Sequence, residues 1–381
     1  MFEIVDATPQ GAVIKVIGVG GGGGNAVKHM LNNQVEGVEF IGINTDPQAL
    51  RLLEGTAVLK IGSNRSDGRH GAGTNPEVGR QAALEDSDRI AEVLEGADMI
   101  FITAGLGGGT GTGAAPVIAK LARERGILTV AVVTRPFSFE KKERARVAEQ
   151  GLTELTDCVD SLISIPNDKL AAVYGSKITI LDAFTNANDV LKGAVQGIAD
   201  LIIRPGLINL DFADVKTVMG EKGLAIMGIG CASGENRAQE AAEAAVRNPL
   251  LDDTDLRGAR GILVNVTAGP SLSMGEFTQV NEIINELAAD DATVVVGAVI
   301  DEACADELRV TLVAAGLGND DAQPVRQVVD NSPPTPSPQA KDLDTPTAIR
   351  RKRAARAAQA TASPEDCEYL DIPTFIRNQA D

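Results

Sequence analysis

Histidine is almost absent from this 381-residue chain, which has only His29 and His70. A Ser-His-Asp triad or a histidine-built metal centre would have to be assembled around one of these two, which sets both classes aside. Cysteine is scarce as well: Cys158, Cys231, Cys304 and Cys367 stand far apart with no C-x-x-C pair. That spacing fits free thiols in a reducing compartment better than disulfides or a zinc site. No apolar run reaches the roughly 18 to 20 residues that cross a bilayer. The acidic opening Met1 to Gln10 has no signal-peptide pattern, so a cytoplasmic location without direct membrane insertion is expected. Positive charge is also in short supply. There are 35 Lys+Arg against 53 Asp+Glu, a net charge of -18, which repels phosphodiester backbones and speaks against nucleic-acid partners.

Apolar residues make up 44% of the chain and glycine contributes 40, enough for two packed domains of ordinary size. From Asn331 onward seven Lys+Arg balance seven Asp+Glu, so residues 1–330 carry the whole negative charge. Asn331 to Pro338 reads N-S-P-P-T-P-S-P, too rich in proline and too poor in apolar side chains to bury a core. It is read as part of a disordered linker, 319–366. The basic run Arg350-Arg351-Lys352-Arg353 with Arg356 is read as solvated linker, or as a weak electrostatic contact with membrane or with the acidic body. Apolar residues return in Tyr369, Leu370, Asp371, Ile372, Pro373, Phe375 and Ile376. Asp371 suits a helix cap, Pro373 a first turn, and Ile372, Phe375 and Ile376 share one face. Residues 367–381 are therefore read as a peptide that docks in a partner's groove, with folding back onto the body as the alternative.

Before that tail, strand and helix alternate. Apolar, β-branched runs at 12–19, 38–43, 99–103, 128–134 and 161–165 are separated by helical stretches from about residue 25 and over 78–94, 114–125 and 140–155. Strands apolar on both faces with helices between them form a mostly parallel sheet, which binds ligands at its carboxyl ends. Residues 181–203 then place Leu181, Phe184, Leu191, Val195, Ile198 and Ile202 at helical spacing with no internal proline, a rod long enough to span a domain. Runs at 223–230, 261–267, 293–300 and 307–315, with helices near 237–247 and 276–288, predict a second α/β domain packed against the rod. The expected fold class is α/β: a Rossmann-like, mostly parallel nucleotide domain, a long central helix, a second α/β domain and a disordered C-terminal tail.

The first strand runs into Gly18-Val19-Gly20-Gly21-Gly22-Gly23-Gly24-Asn25. Glycine lets a backbone approach a phosphate and aim N–H groups at it, and the helix that follows adds favourable partial charge. No G-K-[ST] is present, so this is not a P-loop. A dinucleotide dehydrogenase would use the same G-x-G-x-x-G, with Asp46 on the ribose. It would leave unexplained a second loop after the strand at 99–103, Gly105-Leu106-Gly107-Gly108-Gly109-Thr110-Gly111-Thr112-Gly113. Two such loops at neighbouring strand ends can wrap a triphosphate with backbone N–H groups and threonine hydroxyls, leaving magnesium (Mg2+) to neutralise the remaining charge. Glycines that serve tight turns alone are the structural alternative.

Here the chain resembles the tubulin/FtsZ superfamily, whose G-G-G-T-G-T/S-G signature is matched by Gly107 to Gly113. Asn44-Thr45-Asp46, residues 71–76, Arg135 to Glu140, Ile165 to Leu170, Asn209 to Val215 and Tyr369 to Pro373 are similar to further motifs of its bacterial division branch. The resemblance implies GTP and GDP as ligands and GTP hydrolysis as the reaction. It places Gly21, Gly22, Gly23, Gly24, Asn25, Gly107, Gly108, Gly109, Thr110, Gly111 and Thr112 on the phosphates, with Ala72 and Gly73 beside the γ-phosphate. Glu140 and Arg144 go to the ribose side, and Asn167, Phe184, Asn188 and Asp189 to the guanine. No general base stands out near the loops, and the family supplies one from a neighbouring subunit. Asp211 and Asp214, with Asn209, would reach the γ-phosphate of the next molecule in a head-to-tail homopolymer. A GTP-binding scaffold without hydrolysis is the competing reading, since it has no need of these acids. By the same resemblance the domains are an extension 1–11, a GTP-binding domain 12–180, a connecting helix 181–204 and a GTPase-activating domain 205–318. The peptide 367–381 would bind membrane-tethering and regulatory division proteins (FtsA-like, ZipA-like) at the mid-cell division site. Thr74 and Arg69-His70 depart from the residues usual in the family.

Overall fold

The computed structural model describes residues 11–62, 71–174, 178–204, 210–221, 223–251, 258–286, 288–289 and 292–317. Asn209 and the peptide residues Tyr369, Leu370, Asp371, Ile372, Pro373, Phe375 and Ile376 lie outside them.

In chain order the elements are β1 (Ile14–Val19), α1 (Gly20–Asn32), β2 (Glu39–Asn44), α2 (Pro47–Leu50), β3 (Ala57–Lys60), α3 (Pro76–Glu85), α4 (Ser87–Leu94), β4 (Met99–Gly105), α5 (Thr110–Arg123), β5 (Leu128–Arg135), α6 (Lys142–Cys158), β6 (Ser161–Pro166), α7 (Asn167–Tyr174) and α8 (Ile180–Ile203). Then follow α9 (Phe212–Met219), β7 (Gly223–Ser233), α10 (Arg237–Val246), β8 (Gly261–Ala268), α11 (Met274–Asn285), β9 (Thr293–Ile300) and β10 (Glu307–Leu317).

The ten strands of the described residues form one sheet in the order β3-β2-β1-β4-β5-β6-β7-β10-β8-β9. The first six are parallel throughout, as continuous apolar runs separated by helices require. Alternate residues of each strand serve opposite faces: Val16 joins a core with α1 and α8, while its neighbour Ile17 joins one with α4 and α5. The second α/β region does not build a separate sheet against the rod. Its β7 pairs in parallel with β6 through Ser161↔Gly223, Leu162↔Leu224 and Ile163↔Ala225, and β10 and β8 continue the sheet antiparallel. The 24-residue α8 spans about 36 Å and lends Leu191, Val195 and Ile198 to a core that also contains Phe101 and Val313, one strand residue from each half.

Several element bounds differ from the sequence reading. The helices expected from about 25 and 114 begin at Gly20 and Thr110, because each glycine loop is taken up into the first helical turn. The stretch 78–94 is two helices broken at Asp86, whose carboxylate leaves helical duty to accept from the Gly62 N–H (2.6 Å) and to pair with Arg89 (3.0 Å). The short elements α2, β3, α7 and α9 carry too few residues to show a period.

Candidate functional site

Both glycine loops lie at carboxyl ends of parallel strands, one after β1 and one after β4. Most of their glycines are there because backbone meets backbone. Gly20 turns the chain at φ +72°, and a Cβ on it would lie 2.8 Å from the Gly111 nitrogen. A Cβ on Gly22 would lie 2.9 Å from Gly105, and one on Gly109 would meet the Gly73 carbonyl at 2.7 Å. The purely structural reading therefore holds for a good part of both loops. Gly21 and Gly108 differ, since a Cβ on either would meet nothing within 4 Å. Gly73, at φ +58°, is equally open.

The threonine hydroxyls brace this assembly. Thr112 Oγ1 accepts from the Gly107 N–H (2.9 Å), and Thr110 Oγ1 lies 2.7 Å from Thr45 Oγ1, which accepts from the Ala72 N–H (2.9 Å). The Gly109 N–H donates to the Gly73 carbonyl (3.0 Å), so the loop at 72–74 is tied to the second glycine loop. Thr45 was quoted only as part of a motif; its bridging role depends on a contact 65 residues away. Asp46 caps α2 by accepting from the Gln48 N–H (2.9 Å), which gives the dinucleotide reading's ribose acid a local structural task.

Beside the loops opens a cleft of about 580 Å3 lined by Thr74, Gly107, Glu140, Lys141, Glu143, Arg144 and Val147. Glu140 is locked there: one oxygen accepts from the Phe137 N–H (3.1 Å) and the other pairs with Arg144. Phe137 stacks on Phe139 and meets Phe184 edge to face, with ring centroids 5.2 Å apart, so the start of α8 joins the β5–α6 turn. Phe184 remains 41% exposed and offers a ring face to a ligand. Asn188 follows it by one turn and is half-buried. Asn167 begins α7 and is 4% exposed, yet its Oδ1 has no hydrogen-bond partner among the described residues. A buried orphan acceptor of this kind matches a ligand that brings its own N–H groups.

Asp189 has charged partners of its own. Its carboxylate lies 2.8 Å from His29 Nε2 and 3.7 Å from Lys192, and it lines a separate 310 Å3 cavity with Gln196 and Asp200. One residue is 100° around a helix, so the spacing that points Asn188 one way turns Asp189 another. Asp211 and Asp214 are apart, beyond the other end of α8. Asp211 caps α9 through a long 3.5 Å contact with the Ala213 N–H, Asp214 stands in the first turn, and both are exposed. Among the described residues no group of three or more His, Cys, Asp or Glu side chains could hold a metal ion, and no helix is long and apolar enough to cross a membrane.

A model of the Tubulin/FtsZ family GTPase domain matches residues 13–175, and one of the FtsZ family C-terminal domain matches 223–318. The chain is 59% identical to the cell division protein FtsZ of Pseudomonas aeruginosa, with all of both chains covered. It is 56% identical to that of Coxiella burnetii, covering 99% of each. Among solved structures it is similar to an empty FtsZ dimer from M. jannaschii, with a TM-score of 0.76 and 43% identity over 80% of this chain and 88% of that one.

Proposed function

This chain belongs to the tubulin/FtsZ family and is a GTPase of its cell-division branch, and from that premise we propose that its catalytic site is completed between two copies. The backbone at Gly21 to Asn25 and at Gly107 to Thr112 grips the phosphates, with Gly21 and Gly108 its open positions and Ala72 and Gly73 beside the last phosphate. Glu140 and Arg144 face the ribose, Phe184 stacks on the guanine, and Asn167 and Asn188 accept from its N–H groups. Asp189, beside His29 and with its side chain 45% exposed, would accept from the base as well. Magnesium would rest on the nucleotide's own phosphate oxygens, since the site supplies no acidic cluster for it among the described residues, and no step is routed through it.

The observation that carries this reading is where the free carboxylates are. Inside the pocket Glu140 is engaged by Arg144, and Glu143 by Arg146. Asp211 and Asp214 are exposed at the opposite end of α8, where only another molecule can use them. Carboxylates there, with Asn209, would accept hydrogen bonds from the attacking water and orient it on the neighbour's γ-phosphate. A contact that joins opposite ends of one molecule does not close on itself and builds a filament. The relative from M. jannaschii, described as a dimer, supports self-association. The filament would act in the division ring at mid-cell, tethered to membrane-bound FtsA-like or ZipA-like partners through 367–381.

Phosphate release per subunit, measured against protein concentration, tests the shared site. A threshold below which turnover collapses is expected, and a constant specific rate overturns it. A chain ending at residue 366 should keep the same threshold while losing the tether.

A further inference from the structure

Lys141 links the turn at Ser138–Glu140 to α6 with φ 91° and ψ 144°, a backbone conformation open to glycine and strained for any residue with a Cβ. Neighbouring bonds impose it. Glu140 N–H donates to the Phe137 carbonyl (2.9 Å), Phe137 N–H donates to the Glu140 carboxylate, and the Lys141 carbonyl accepts from Arg144 N–H (3.1 Å). Glycine would occupy this corner without strain. A lysine held there against its backbone preference is explained by what its side chain does.

That side chain is exposed and lines the cleft shared with Thr74 and Gly107, next to both loops assigned to the terminal phosphates. The other cation of the cleft, Arg144, is paired with Glu140, and Glu143 is paired with Arg146. Among the described residues Lys141 has no ion-pair partner. The glycine loops contribute no cation of their own between Gly18 and Asn25 or between Gly105 and Gly113. The cleft thus holds one uncommitted ammonium beside a phosphate cradle built from neutral backbone.

We propose that Lys141 is a specificity residue for the nucleotide, its ammonium binding the terminal phosphate and so favouring the triphosphate over the diphosphate. The assignment rests on the reading of this cleft as the GTP site. Binding of GTPγS and of GDP to the full chain is compared below the concentration at which it assembles, for the natural protein and for Lys141→Gly, Lys141→Gln and Lys141→Arg. Lys141→Gly and Lys141→Gln should weaken GTPγS by about tenfold, the worth of one charge-assisted hydrogen bond, and GDP by less than about twofold. Lys141→Arg should keep the preference. Lys141→Gly should melt no lower than the natural protein, because it relieves the strained corner, so lost affinity is not lost folding. Equal weakening of both nucleotides, or of neither, overturns the role of Lys141. Failure of the natural protein to bind GTPγS overturns instead the reading of the cleft on which it rests.

Discussion

At the Ile180 end of α8, backbone presses on backbone: Gly20 against Gly111, Gly109 against Gly73, with Thr45, Thr110 and Thr112 closing the gaps. At the Ile203 end the anchoring is done by side chains. Arg204 bridges Asp200 (3.1 Å) in the helix and Asp301 (3.2 Å) after β9, and Leu201 and Leu210 both rest on Gly297. Burial pushes the Asp200 carboxyl up, and Arg204 opposes it. From those fixed roots the acids Asp211 and Asp214 project into solvent. One end is thus a finished receptacle, and the other a finished projection that lacks anything of its own to act on.

Removing the projection should have the largest effect. Asp214→Ala is expected to lower GTP turnover by about 100-fold, the usual scale for losing a group that positions or deprotonates water. Nucleotide binding and filament formation should survive, because the receptacle is untouched; phosphate release and sedimentation of the same sample measure both. Unchanged turnover would erase the contrast between the two ends.

The receptacle can be divided in turn. Gly109→Ala puts a methyl group 2.7 Å from the Gly73 carbonyl and 2.8 Å from that of Ala72, and should cost about 1–3 kcal/mol of stability. Gly108→Ala meets nothing within 4 Å and should melt as the natural protein does, yet bind GTP more weakly if that open position faces the phosphates. Thermal melts paired with nucleotide titration separate the two. A Gly108→Ala protein with full affinity would remove Gly108 from the site.

A pair away from both ends provides the smallest effect on turnover. Arg237 binds Glu276 (2.6 Å) and the Asp306 carbonyl (3.0 Å), and that hydrogen-bonded guanidinium holds the Glu276 carboxyl at about 2 instead of the ordinary 4.5. A lowered carboxyl pKa gives stability that is fully present above pH 4.5 and is lost as the pH falls towards 2. Arg237→Ala should destabilise by about 1–3 kcal/mol at neutral pH, since the Glu276 carboxylate loses its cation and keeps only the hydrogen bonds from Ser273. It should also flatten the acid-dependent part of the melting curve between those two values. Turnover per folded subunit should not change, and a large drop would mean that the second half does more than present Asp211 and Asp214.

Much of the fold was readable because strands buried on both faces are almost wholly apolar, as β1 is apart from Lys15 and β4 apart from Thr103, and because α8 repeats its apolar face over 24 residues. The glycine loops were readable as close turns at the ends of neighbouring strands, although which glycines stay open was not. Gly21 and Gly108 look the same in sequence as Gly20 and Gly109, and only the strands and loops packed against them tell them apart. The partner of Asp189 was hidden for a related reason: nothing along the chain shows that the helix turns it towards His29, 160 residues away. Lys141 drew no notice, since nothing local announces a positive φ at a lysine.

By itself the sequence determined the alternation of elements, the two glycine turns and the long rod, all of which follow from residue type and short-range spacing. Tertiary structure alone decided that the two halves share one sheet through β6 and β7, that threonine hydroxyls brace the loops, and that Asp189 meets His29. Those outcomes depend on groups brought together across dozens of residues, and direct contact between distant segments leaves no periodic trace along the chain.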